Sequence, residues 1–270
     1  MAPDSRAIEL LERRMMANVT PLKMLEAHGE TIECRVLEER GQAGVLLALP
    51  TEASAYDRRT YPDADCIVMI DCQDEALFRK LVRHAPAGSK PVFKLNRPEH
   101  ANMLAGLYRL ERTRAYVSYT AAAGDRYVHA SDARVVAGDK PDDDLMPFWM
   151  KNGYEREEIE RYFRAGAASF TIREDGRPVS TCLAFPNYKS IWEIGAVHTA
   201  ETHRGRGLAK RVVGAAVGHV LAKGLTPRYQ TLETNEASIR LARSVGLVPF
   251  VMLEHYWAEP LSNDISNGYV

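Results

Sequence analysis

The run Val197-His198-Thr199-Ala200-Glu201-Thr202-His203-Arg204-Gly205-Arg206-Gly207-Leu208-Ala209 constrains this chain more than any other. An apolar strand passes into two glycines flanked by arginines, and a long amphipathic helix starts at once. Glycine permits positive φ and close approach of a ligand, so such a turn can aim several backbone N–H groups at a phosphate. The helix adds its unpaired N-terminal donors and the positive end of its dipole. Arg204, Arg206, Lys210 and Arg211 oppose that dipole, and a bound anion would offset their repulsion. The turn therefore reads as a pyrophosphate cradle, although taken alone it fits a Gly-rich connection that binds nothing equally well. The dinucleotide fingerprint fits poorly, because Lys210 stands where its third glycine belongs, and no GxxxxGK[ST] loop occurs.

The helix is defined by Leu208, Ala209, Val212, Val213, Ala216, Val217, Val220 and Leu221 recurring on one face, with Gly224 as its stop. A strand-like run from position 227 to 234 follows. Next comes Asn235-Glu236-Ala237-Ser238-Ile239-Arg240-Leu241-Ala242-Arg243-Ser244-Val245-Gly246, a short helix with Asn235 as N-cap and Gly246 as its end. A final strand is expected over residues 248–257. This order resembles the GNAT superfamily of acyl-CoA-dependent N-acyltransferases, whose R-x-x-G-x-[GA] signature here reads Arg204-x-x-Gly207-x-Ala209. The form V-x-T-x-x-x-x-R-G-x-G-x-A, followed by G-x-x-P-x-Y and N-x-A-S-x-R-L-A, is similar to the glycine N-acyltransferase-like branch. The resemblance covers residues 128–259 and implies an α+β fold, a mixed sheet flanked by helices.

Composition agrees with a soluble enzyme. At 270 residues and 46% hydrophobic content the chain can bury one or two cores. A net charge of −1 gives no electrostatic footprint for nucleic acid or an anionic membrane. No apolar run is long enough to span a bilayer, and the N-terminus reads as a charged amphipathic helix, not a signal peptide. Cys34, Cys66, Cys72 and Cys182 lack CxxC spacing, so neither a metal site nor a disulfide framework is expected, and free thiols suit a reducing cytoplasm.

The first half reads as helices over residues 7–25, short buried strands at 44–49 and 66–70, a helix at 74–84, a strand at 91–95, a helix at 98–109 and a strand at 115–120. That order mirrors the second half without its glycine turn: Ile70-Asp71-Cys72-Gln73-Asp74 carries two acids and no glycine. Residues 1–124 are thus an α/β domain, either a degenerate GNAT-like copy or an unrelated fold. A linker is expected at 121–125, a GNAT acyltransferase domain over 125–259, and a disordered tail at 260–270. Helices over 142–164 bring Phe148, Trp149, Met150, Tyr154, Tyr162 and Phe163. By resemblance these wall the acceptor site; by pattern most are core.

An acyl thioester is already activated, so catalysis needs a neutral amine, oxyanion stabilisation and thiolate release. The resemblance implies acetyl-CoA or another acyl-CoA as co-substrate, no metal, and a small amine as acceptor. It places Ala196, Val197, His198 and Thr199 along the pantetheine and the thioester. Arg204, Gly205, Arg206, Gly207, Leu208 and Ala209 fall at the pyrophosphate, and Asn235 and Ser238 along the cofactor's arm. The family often carries a tyrosine acid where this chain has Ala242, which leaves Tyr256 and Ser238 as unresolved substitutes. Glu193 is the first choice of base, because strand alternation puts it on the face of Val197 unless a bulge intervenes; its structural alternative is a salt bridge. His198 and His203 are the other bases. A protein or peptide acceptor, a non-catalytic acyl-CoA-binding module and a homodimer all stay open.

Overall fold

Over residues 4–122 and 132–261, which this computed structural model describes, helices and strands alternate much as the apolar runs dictate. The chain divides into two compact units, residues 4–115 with 252–261, and residues 116–251. The boundaries fall inside two strands of 14 residues, β5 (Tyr108–Ala121) and β11 (Leu247–Pro260), each long enough to serve in both units. They therefore differ from the expected division at 124/125 and from a second domain running to 259. The expected linker and tail lie mostly outside the described residues.

In the first unit, α1 (Ser5–Glu12) and α2 (Val19–His28) precede β1 (Glu33–Glu39), β2 (Gln42–Pro50), α3 (Ala55–Thr60), β3 (Cys66–Cys72), α4 (Glu75–Val82), β4 (Pro91–Leu95) and α5 (Pro98–Leu104). The sheet order is β1-β2-β3-β4-β11, antiparallel except for the parallel pair β3/β4. β1 and α3 escape the sequence reading because β1 is half exposed and charged, and α3 is a six-residue helix. Leu46, Ala48, Val68, Ile70 and Phe93 pack under Leu77, Phe78 and Leu81 of α4.

The second unit has β6 (Val135–Gly138), α6 (Met146–Met150), α7 (Arg156–Arg164), β7 (Ala168–Glu174), β8 (Arg177–Tyr188), β9 (Ile191–Thr199), α8 (Leu208–Ala222), β10 (Thr226–Leu232) and α9 (Glu236–Ser244). Its sheet runs β6-β7-β8-β9-β10-β5, with β9/β10 the parallel pair. The α8 stripe buries Leu208, Val212, Val213, Ala216, Val217 and Val220 against Cys182, Ala184, Trp192 and Ile194. The alternate residues Leu183 and Phe185 meet Trp149, Ile159, Tyr162 and Phe163 of α6 and α7. Each unit thus repeats one plan: antiparallel strands, a strand–helix–strand crossover, and a last strand taken from the other half of the sequence. The α+β architecture, a mixed sheet flanked by helices, is the expected one.

In the first unit His255 is 2% exposed and its Nδ1 lies 2.5 Å from the Tyr61 hydroxyl. Burial, with Lys94 and Arg114 adding repulsion, pushes its imidazole down to about 2. The unfolded chain takes up this proton near the ordinary value of about 6.5, so stability from His255 is complete above that pH and falls as pH drops below it. His255→Gln is expected to flatten the decline in unfolding free energy from pH 8 to pH 5, read by urea titration, which approaches ~1.4 kcal/mol per pH unit for one proton.

Candidate active site

Parallel pairing of β9 and β10 stops after three rungs, Ile191–Thr226, Trp192–Pro227 and Glu193–Arg228. Beyond them the strands part, and a cavity of about 540 Å³ opens between residues 194–199 of β9 and 229–231 of β10. Asn152, Tyr154, Arg204, Ala209, Asn235, Ala237, Ser238 and Leu241 complete its lining. Two features mark where the strands part. At the last rung, Arg228 Nη1 lies 2.6 Å from Glu193 Oε2, with both side chains almost wholly buried, and Asn187 donates to the same oxygen at 2.8 Å. Just beyond, β9 bulges: Thr181 pairs with His198 but Leu183 pairs with Gly195, which leaves one extra residue on β9. Ala196 takes up the strain at φ 52°.

The bulge decides which side chains face where. Trp192 and Ile194 pack toward α8, yet Ala196 joins the α6–α7 cluster while Val197 returns toward α8. Glu193 and Val197 consequently do not share a face, contrary to the sequence expectation. Glu193 does not line the cavity, and its carboxylate is closed by Arg228 and Asn187. Tyr256 sits in the first unit, opposite Phe93 on β4, and is not among the lining residues either. His203 is tied into the turn, its Nδ1 2.8 Å from Thr202 Oγ1 and its Nε2 3.4 Å from Glu174.

His198 does line the cavity, edge-on to Phe148 with ring centroids 5.0 Å apart. Burial, reinforced by Lys151 and Arg204, holds its imidazole below the usual range and therefore neutral near pH 7. Tyr154, which sequence reasoning treated as a wall aromatic, is a lining residue whose hydroxyl accepts the Ala196 amide. A Cβ on Gly195 would stand 2.6 Å from that hydroxyl, so the glycine is what admits it. Burial first, then Glu193 and Glu158, push the Tyr154 phenol upward. Tyr229, also lining, ends the G-x-x-P-x-Y motif but received no role in the sequence reading; its hydroxyl lies 2.5 Å from Ser238 Oγ.

Of the residues expected along the ligand, Ala196, Val197, His198, Thr199, Arg204, Ala209, Asn235 and Ser238 line the cavity. Gly205, Arg206, Gly207 and Leu208 do not. Leu208 is buried beneath α8, and Arg206 makes two bonds to Glu174, at 2.7 and 3.0 Å. Gly205 and Gly207 take φ 78° and 72°, with open space where a Cβ would be. Gly207 caps α8 without a side-chain bond, which leaves the first-turn amides available to an anion. Asn235 accepts the Ser238 amide at 3.1 Å, as an N-cap should.

These features fit an acyl-CoA: an open strand edge for pantetheine amides and an uncapped helix start beside it for phosphates. Residues 139–247 match the acetyltransferase (GNAT) family. The match lies within the second unit, and the class that fold and site fit is that of the N-acetyltransferases, which move an acyl group from acyl-CoA. Comparison with curated proteins finds no match. Among solved structures, the chain is similar to an acetyltransferase of the GNAT family from Colwellia psychrerythraea, with TM-score 0.59 and 12% identity over 94% of this chain and 97% of that one. A GCN5-related N-acetyltransferase from Sphaerobacter thermophilus gives TM-score 0.56 and 16% identity over 83% and 79%. A tandem GNAT protein from the clavulanic acid biosynthesis pathway gives 0.52 and 12% over 97% of both chains. At these identities the likeness is one of fold. Among the described residues no group of His, Cys, Asp or Glu is gathered as a metal would need, and no helix is long and apolar enough to cross a membrane.

Removing one partner of the Glu193–Arg228 pair strands the other charge in the interior. Arg228→Met is expected to destabilise the protein by about 3–5 kcal/mol, read as a fall in urea midpoint. An unchanged midpoint would show that the pair does not brace the last rung.

Proposed function

We propose that this protein transfers an acetyl or other short acyl group from acyl-CoA to the primary amine of a small molecule, by direct attack on the thioester. The observation that carries the reading is the cavity between the parted strands, joined to the glycine turn through Arg204 and Ala209. Backbone at 196–199 would hold the pantetheine as an added strand, and the Gly205–Gly207 turn with the start of α8 would hold the pyrophosphate. The tandem GNAT protein named above belongs to a pathway that makes a small molecule, and the motif resemblance to glycine N-acyltransferase-like proteins favours an amino acid or similar amine. The near-neutral charge supports a small acceptor over nucleic acid or a membrane surface. Four unbridged cysteines support a cytoplasmic setting.

With Glu193 committed to Arg228, we assign the amine's proton to His198, a neutral imidazole facing the cavity. His198→Gln is expected to lower kcat at pH 7 by about two orders of magnitude or more. In the parent enzyme kcat should fall as acidity protonates His198, at a pH below the usual imidazole value. A variant with an unaltered pH profile would return the proton to water alone.

Cofactor binding has its own test. Gly207→Asp suits the left-handed backbone better than most residues and meets no neighbour, so the fold should survive. Its carboxylate would repel the pyrophosphate. Calorimetry should find one CoA per chain in the parent and none in the variant. Tight binding to the folded variant would remove the turn from the site, and two CoA per chain would show that the first unit binds as well.

A further inference from the structure

The turn between β9 and α8 is not held in shape by packing. Residues 204–207 are exposed, and Gly205 and Gly207 take φ 78° and 72° with no atom within 4 Å of where a Cβ would stand. Glycine visits positive and negative φ about equally, so two of them in three residues leave a free turn many shapes. The side chain between them, Arg206, is not a lining residue of the cavity. Its Nη1 and Nη2 donate to the two carboxylate oxygens of Glu174, at 3.0 and 2.7 Å. His203, before Gly205, brings Nε2 to 3.4 Å from Glu174 Oε2. Arg206 is the main reason the Glu174 carboxyl is held below its usual range. One carboxylate at the end of β7 thus grips the turn at two points. In the first turn of α8, Arg211 meets Asp132, which also holds Arg134 at 3.0 Å.

We propose that Arg206 is not a phosphate ligand: clamped by Glu174, it fixes the turn whose backbone amides take the pyrophosphate, and Glu174 is a positioning residue for the co-substrate. The inference rests on the acyl-CoA reading above. A bidentate guanidinium–carboxylate pair fixes orientation as well as distance. The residue between the two glycines is therefore tied to β7, and the amides on either side of it keep one direction. A ligand then need not order the turn as it binds, and its affinity gains by that preorganisation. Arg204, which lines the cavity and meets Glu201 loosely at 3.7 Å, is a cation left to the phosphates. Were Arg206 a ligand instead, Glu174 would compete with phosphate for it and would repel the phosphate as well. The two arrangements give opposite signs for the removal of Glu174.

A binding experiment tests this without knowledge of the acceptor. CoA and dephospho-CoA, which lacks the 3′-phosphate, are titrated calorimetrically into the full chain at about 0.15 M salt, where charges more than about 8 Å apart are largely screened. Glu174→Gln should weaken both compounds by the same factor, roughly threefold to fivefold, the worth of one well-made exposed pair. Arg206→Gln should weaken them as much. The double variant should bind no worse than either single one, because each change removes the same clamp. Tighter binding by Glu174→Gln would make Arg206 a phosphate ligand and overturn the proposal. Unchanged affinity, with or without a lowered urea midpoint, would reduce the pair to a structural contact. Losses that add would show that the two residues act separately, and a loss confined to CoA would put Arg206 at the 3′-phosphate. Each of these overturns the clamp. Failure of the parent to bind either compound overturns the acyl-CoA reading instead.

Discussion

The site depends on one parting of backbone. β9 and β10 pair through the Glu193–Arg228 rung and no further, and the extra residue at Ala196 turns β9 away from its neighbour. A strand edge left unpaired inside a protein exposes donors and acceptors that must find partners, and here those groups border a cavity. The same bulge reverses the alternation of side chains, so Val197 serves the α8 core while Ala196 faces Tyr154. The opening and its walls follow from one local irregularity, braced by a buried ion pair.

The two units show how the same plan is opened or closed. In the first, the parallel pairing of β3 and β4 ends at Met69–Lys94, and Lys94, like Arg228, is a buried cation, paired with Asp57 at 2.6 Å. Two residues past the rung, where the second unit has Gly195, the first has Asp71. Its carboxylate is gripped by Arg14 at 2.9 Å, Asn18 at 2.7 Å and Arg97 at 3.3 Å. Asn96 Nδ2 in turn donates to the Ala17 carbonyl and to Asn18 Oδ1. A carboxylate with these partners fills the place that the glycine leaves open to a phenol. α4 also starts from a side-chain cap, Asp74 Oδ1 accepting the Leu77 amide at 2.8 Å, so its N-terminal donors are not presented as those of α8 are.

The charges around the glycine turn are arranged differently from the sequence expectation. Cations at the start of α8 are unfavourable to its dipole, and an anion was expected to compensate all of them. Three have partners within the protein: Arg206 in Glu174, Arg211 in Asp132, and Arg204, more loosely and at the surface, in Glu201 at 3.7 Å. Arg204 alone of the four lines the cavity. The turn is therefore latched to the end of β7, which holds Gly205 and Gly207 in their left-handed conformations.

The sequence by itself determined the order of elements in the second unit, the glycine turn, the N-cap at Asn235 and the buried stripe of α8. Each is written locally, in spacing, capping residues and positive-φ glycines. It also carried the repeat of strand–helix–strand order in the first unit. It did not carry the exchange of β5 and β11, because two long strands look alike whichever sheet they complete. Nor did it carry the fate of Glu193: strand alternation is a rule for regular strands, and one bulged residue reverses it. Tyr229 and Tyr154 were equally hidden as lining residues of this cavity, since only the parting of two strands brings an aromatic on a strand or after a helix to its wall. Those decisions belong to contacts between residues far apart in the chain, and only the tertiary structure makes them.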